Sequence, residues 1–148
     1  MRRCVTVVAV MAAVSMATMG CDEALSSLAG PTPNLQPTFS SIQRDIFENG
    51  DSSGRVPCTQ CHNPGGSAFN GLDLSNAVAY ANLVGAASRG KPGAIRVIAG
   101  DPENSYLIHK LEGRPGIVGL QMPRVGAPLS DGQITIIKRW IAEGAPND

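Results

Sequence analysis

One short string, Cys58-Thr59-Gln60-Cys61-His62, constrains this 148-residue chain more than any other feature of its sequence. Its two thiols are separated by two residues, which is about one helical turn, and a histidine follows the second thiol directly. At this spacing both sulfurs can form thioethers with the two vinyl groups of one haem, and the histidine can ligate its iron. The string therefore predicts one covalent haem c on Cys58 and Cys61, with His62 as the proximal iron ligand.

Other uses of the same cysteine spacing have less support. A thioredoxin-like dithiol usually lies in a strand–helix–strand unit, and no such pattern leads into Val56-Pro57. A structural zinc ion needs four ligands, and downstream of the string the only further cysteine or histidine is His109. A chance occurrence is the third alternative. The start of the chain argues against it, because haem is attached in this way outside the cytoplasm.

The first residues have the pattern of an export signal. Arg2 and Arg3 precede an apolar stretch at 5–19, which is short for a membrane span, and a signal peptide is predicted over 1–20. Met19-Gly20-Cys21 resembles the lipobox of bacterial lipoproteins, in which Cys21 would carry the lipid; a simple cleaved signal with an incidental cysteine is the alternative. We therefore expect an exported protein on the periplasmic or cell-surface side, anchored to the membrane through Cys21.

The predicted mature chain is a small module with modest charge. Without Arg2 and Arg3 it carries 10 basic and 12 acidic residues, a balance that does not favour a nucleic-acid partner. Aromatic residues make up 4% of the chain, which also contains 17 glycines and 11 prolines. Such a chain would struggle to build a core from protein alone, whereas a large apolar cofactor would complete one. Residues 21–38 are predicted to be a flexible tether and 39–148 a single domain.

Helix signals dominate the domain, and we predict an all-α fold class. Ser40 or Ser41 is expected to cap a first helix that ends at Asn49-Gly50. Ser75 is expected to cap a second helix over 76–84. The apolar contacts predicted for these two helices are Ile42, Ile46, Phe47, Val78, Ala81 and Leu83.

Two further helices follow. Asp101-Pro102 is predicted to start the third, which Gly113 ends. Ser130-Asp131-Gly132-Gln133 has the form of a capping box, and Gly144 stands where a C-terminal glycine belongs. Apolar side chains recur at helical spacing between the capping box and Gly144, which predicts the fourth helix. Its Trp140 is expected to pack against Phe47 and Ile46 in the core.

The second iron ligand can be sought by elimination. Met122 is the only methionine downstream of the predicted signal peptide, and it lies in a Gly- and Pro-rich loop before the last helix. His109 is the only histidine besides His62, and it falls within the predicted third helix. Met122 is the favoured distal ligand, and His109 is the alternative.

Several segments besides the cysteine string carry a family resemblance: Gly71-Leu72-Asp73-Leu74, residues 100–107, Met122-Pro123 and residues 128–145. With them the domain resembles a small class I type cytochrome c, most closely the planctomycete-type cytochrome c domains of exported bacterial proteins. The resemblance implies the cytochrome c fold, with three to four short helices around one covalent haem and with methionine opposite histidine on the iron.

These features predict a carrier of single electrons and not an enzyme, exchanging electrons with redox partner proteins whose identity the sequence leaves open. The alternatives are a haem-based ligand or redox sensor, in which one iron position stays open, and a haem subunit of a larger exported oxidoreductase. Arg89, Lys91 and Arg96 are candidates to neutralise the haem propionates, or else belong to a solvated loop.

Overall fold

The computed structural model describes residues 30–65 and 71–148. Within them the chain is all-α, as predicted, with short helices and no strand beyond isolated bridges. The helices are α1 (Phe39–Ile42), α2 (Ala79–Leu83), α3 (Tyr106–Glu112) and α4 (Asp131–Ala142), with a π-helical segment Gln43–Glu48 continuing α1 and a 3₁₀ turn at Cys58–Gln60. The predicted signal peptide and Cys21 lie outside the described residues. None of the helices in the described ranges is long and apolar enough to cross a membrane.

Helix α4 begins and ends as predicted. The Ser130 hydroxyl accepts the Gln133 backbone N–H (3.2 Å), and the Gln133 side chain accepts the Ser130 backbone N–H (2.9 Å), which completes the capping box. Gly144 follows the helix with φ +98°, a conformation that favours glycine. Local backbone requirements explain both ends of α4, so the sequence pattern was sufficient to predict them.

The first helix starts with a different cap from the one predicted. The Thr38 side chain, rather than Ser40 or Ser41, accepts the N-terminal backbone N–H, which comes from Ser41 at 3.3 Å. Ser41 is itself inside the helix, where its hydroxyl donates to Asp45 (3.0 Å). The prediction was wrong because a threonine two to three residues earlier offers the same capping oxygen.

Helix α2 is shorter than predicted, because the residues before it form turns. The Ser75 hydroxyl donates to Asp73 (2.6 Å) instead of capping the helix, and α2 starts only at Ala79. Of its three predicted apolar contacts Leu83 is buried, whereas Val78 and Ala81 are exposed. A serine that bonds locally competes with helix formation, which explains the late start.

Helix α3 also starts late. The Asp101 carboxylate accepts both the backbone N–H (3.2 Å) and the side-chain amide (2.7 Å) of Asn104, so this segment forms a turn and the helix begins at Tyr106. Its end agrees with the sequence pattern: Gly113 has φ +67° in the left-handed region.

Helix α1 and its π-helical continuation together form the first helical segment, residues 39–48. One buried apolar cluster joins this segment to α2, α3 and α4. Trp140 is fully buried in it, in the same cluster as Ile46 and Phe47. Its aromatic neighbour is Phe39, with ring centroids 5.6 Å apart. The end helices therefore meet at the contact between Phe39 and Trp140, within the cluster that also holds Ile46 and Phe47.

The packed part of the chain begins before residue 39. Leu35 has no exposed surface and belongs to the core cluster, and Gln133 donates to the Thr32 hydroxyl (3.0 Å). Residues 32–38, which we assigned to the tether, thus contact the domain. Two prolines in this stretch suggest a linker, but its single leucine packs into the core.

Candidate haem-binding site

A cleft of about 460 Å³ lies between the first helical segment, the 3₁₀ turn, α3 and the loop that precedes α4. This volume is within the usual range for a cofactor site. The predicted ligands Cys58, Cys61, His62 and Met122 all line it. The rest of its wall is mainly apolar and includes Ile46, Phe47, Leu72, Leu74, Leu83, Leu107, Leu111 and Leu129.

The two cysteines are placed by the 3₁₀ turn. The backbone N–H groups of Cys61 (3.2 Å) and His62 (2.9 Å) both donate to the Cys58 carbonyl, so the turn brings all three residues to one side of the cleft. Both thiols are free, and the Cys58 thiol donates to the Ile46 carbonyl at 3.5 Å. Burial raises the pKa of Cys58 to about 11, which keeps its thiol protonated at neutral pH.

His62 is held at two points by the segment that follows it. Its ring nitrogen Nδ1 lies 3.3 Å from the Leu72 carbonyl, and the Leu74 backbone N–H donates to the His62 carbonyl (2.9 Å). A backbone carbonyl next to Nδ1 favours the tautomer with the proton on Nδ1, which leaves the Nε2 lone pair for a metal. Burial lowers the pKa of His62, the hydrogen bond to the Leu72 carbonyl opposes this, and the charges of Arg96 and Lys110 lower it further, which favours the neutral imidazole at neutral pH.

The two candidates for the distal ligand are in different surroundings. Met122 is half-buried at the cleft, and its backbone N–H donates to the Lys110 carbonyl (2.8 Å). His109 does not line the cleft; its Nε2 is 2.7 Å from the Glu103 carbonyl. The described geometry thus brings Met122, and not His109, together with His62.

Only basic side chains carry charge among the described residues that line the cleft, namely Arg96, Lys110 and Arg124. Arg96 is 8% exposed and donates to the Asn82 carbonyl (2.8 Å); burial, and then Arg89, lower its pKa. Lys91 instead donates to the Gly116 carbonyl (2.9 Å). Of the three cations considered for propionates, Arg96 is therefore the one that reaches the cleft.

Arg55 stabilises the π-helical segment next to the site, a role that the sequence did not indicate. Its guanidinium is buried and donates to the Asp45 (2.7 Å), Ile46 (2.8 Å) and Asn49 (2.9 Å) carbonyls at the end of the π-helical segment. Its Nε also pairs with Asp51 (2.9 Å). The spacing of Asp51 and Arg55 could have signalled an ion pair, but the three backbone acceptors have no sequence signature.

The chemistry of the donor set suits a covalent haem. Two free thiols, a neutral imidazole and a thioether share one apolar cleft, and iron accepts both imidazole and thioether ligands. Residues 30–65 and 71–148 contain no group of three or more His, Cys, Asp or Glu side chains able to hold a metal ion. A haem iron needs no such group, because the porphyrin supplies its other four ligands.

Comparison with family models, curated proteins and solved structures gave no match to this chain.

Proposed function

We propose that this chain is an exported mono-haem c-type cytochrome with the cytochrome c fold, and that it carries single electrons between membrane or periplasmic redox partners. The observation that carries the proposal is the convergence of Cys58, Cys61, His62 and Met122 on one apolar cleft. These residues come from two segments about 60 positions apart in the sequence. We would not expect all four to meet in one cleft by chance.

Each residue has a distinct part in this proposal. Cys58 and Cys61 would hold the haem covalently, His62 and Met122 would ligate its iron, and Arg96 would offset the negative charge of a haem propionate. The haem supplies one-electron redox chemistry when bound. Because His62 and Met122 would both ligate the iron, it would offer no site for a substrate, which is why we propose a carrier rather than an enzyme.

Covalent attachment is tested by expressing the exported protein in a host that matures c-type cytochromes. After denaturation and acid-acetone washing, wild-type protein should keep its haem, seen by haem staining of a denaturing gel. The Cys58→Ala/Cys61→Ala variant should lose it, and His62→Ala should change the absorption spectrum. A colourless wild-type protein made alongside a correctly matured control cytochrome would overturn the proposal.

We also propose a lipid anchor on Cys21, which would keep the domain at the membrane surface. Labelled fatty acid should enter the wild type but not Cys21→Ala. The same variant is a matched control for the haem experiment, because it removes a cysteine outside the proposed attachment site and should retain haem. Entry of label into Cys21→Ala would show that this cysteine is not the anchor.

A further inference from the structure

The loop that carries Met122 has no helix or strand of its own. It runs from Gly113, at the end of α3, to Ser130, which caps α4. Three of its apolar side chains are largely exposed: Val118, Leu120 and Val125. These three side chains line the cleft, while Leu129 and part of Met122 pack against the core. Hydrogen bonds to α3 add to this packing.

The last turn of α3 provides such contacts. The carbonyls of a helix's last turn have no partner within the helix. Here the Lys110 carbonyl accepts the Met122 backbone N–H (2.8 Å), and the Leu111 carbonyl accepts the side-chain amide of Gln121 (2.7 Å). Two neighbouring loop residues are thus attached to two neighbouring helix residues.

The Lys110 side chain adds a third attachment. Its ammonium donates to the Val118 carbonyl (3.0 Å) and to the Leu120 carbonyl, so it bridges two carbonyls of the loop while its own backbone bonds Met122. Hydrogen bonds from a charged donor are stronger than those between neutral groups. Lys110 also lines the cleft, which places the bridge next to the proposed iron ligands.

We propose that Lys110 is a positioning residue that holds the Met122 loop over the cleft and so limits how readily Met122 leaves the iron. The inference rests on the proposed function for the identity of the ligand, but the bridge itself is a property of the polypeptide. It acts through residues 118–122.

The bridge can be tested independently of any property of the iron, by hydrogen–deuterium exchange of the Met122 amide in the haem-loaded protein. Lys110→Met keeps the aliphatic stem and removes the ammonium. It should speed exchange at Met122 about tenfold, the equivalent of about 1.4 kcal/mol. Lys138→Met is the matched control: Lys138 on α4 is also paired with two oxygens, those of Glu103 and Glu112 at 2.8 Å, and both partners lie outside residues 118–122. Equal exchange in Lys110→Met and Lys138→Met would overturn the inference.

In the haem-loaded protein, Lys110→Met should bind added imidazole about tenfold faster than wild type. The weak red absorption band of methionine-ligated ferric haem should also fade at lower temperature in this variant. Lys110→Arg keeps a charged donor and should restore both properties in part; if Lys110→Met does not fold, Lys110→Gln replaces it.

The outcomes separate the two proposals. A wild type without the methionine band contradicts Met122 as the ligand, whereas a normal wild type with an unchanged Lys110→Met contradicts only the positioning role.

Discussion

Replacing Asp51 by alanine would leave the guanidinium of Arg55 buried without its counter-charge. The Asp51 and Arg55 side chains are 1% and 0% exposed, and the two groups are 2.9 Å apart. Asp51 also accepts hydrogen bonds from the Gln133 side chain (2.9 Å) on α4 and from Ser53. The carboxylate therefore links the loop before the cysteines directly to the last helix and, through Arg55, to the first helical segment.

The expected loss can be estimated from this burial. Removing one partner of a buried ion pair costs about 3–5 kcal/mol, because the other charge stays desolvated. For a domain of this size, each kcal/mol corresponds to about 4 °C in melting temperature. We therefore expect Asp51→Ala to lower the free energy of unfolding by about 3–5 kcal/mol and the melting temperature by roughly 12–20 °C.

Urea and thermal unfolding of the haem-loaded protein, followed by circular dichroism, would measure both quantities. Arg44→Ala is the control, since Arg44 pairs with Asp45 at 2.6 Å but its side chain is 57% exposed; it should cost less than about 1 kcal/mol. If Asp51→Ala were no less stable than Arg44→Ala, the supporting role of this ion pair would be refuted.

Three other predictions concern acid stability, the distal ligand and the domain boundary. The pKa of Asp51 in the folded protein is about 2, below its ordinary 3.8, so its contribution of about 2 kcal/mol is complete above about pH 4 and disappears as the pH falls towards 2; denaturant titrations of Asp51→Asn should lack this part of the slope. Met122→Ala should lower the reduction potential and admit carbon monoxide rapidly, whereas His109→Ala should leave both unchanged, and the reverse result would exchange the two assignments. Leu35→Ala should reduce the free energy of unfolding by about 2–5 kcal/mol. A change near zero would show that residues 32–38 belong to the tether and not to the folded domain.

The sequence predicts best where the cause is local. The capping box of α4 and Gly113 after α3 depend on residues within a few positions of each other, and both occur as predicted. The late starts of α2 and α3 are also local in origin, but there the same residue types serve two purposes. Ser75 and Asp101 are good capping residues and equally good turn residues, and a single sequence does not say which use prevails.

The cysteine string predicts which residues could share a cleft but not what holds them there. The partner of the His62 ring is the carbonyl of Leu72, and the partner of the Met122 N–H is the carbonyl of Lys110. Every residue has such a carbonyl, so no residue type marks the ones in use. The burial of Leu35 was missed for a related reason: one apolar side chain among prolines forms no period.

The same dependence on backbone acceptors explains how the cysteine, histidine and methionine side chains of the cleft can have well-defined positions. Cys58 lies against the carbonyl of Ile46, His62 against that of Leu72, and Met122 is bonded to that of Lys110. Two of these carbonyls lie at or near the ends of short helical segments, where carbonyls are left without helical partners. Short helices supply more such ends for a given length of chain than long ones do. A fold of several short helices is therefore suited to fixing ligands that approach one cleft from separate loops, and it can do so with few aromatic side chains in the protein itself.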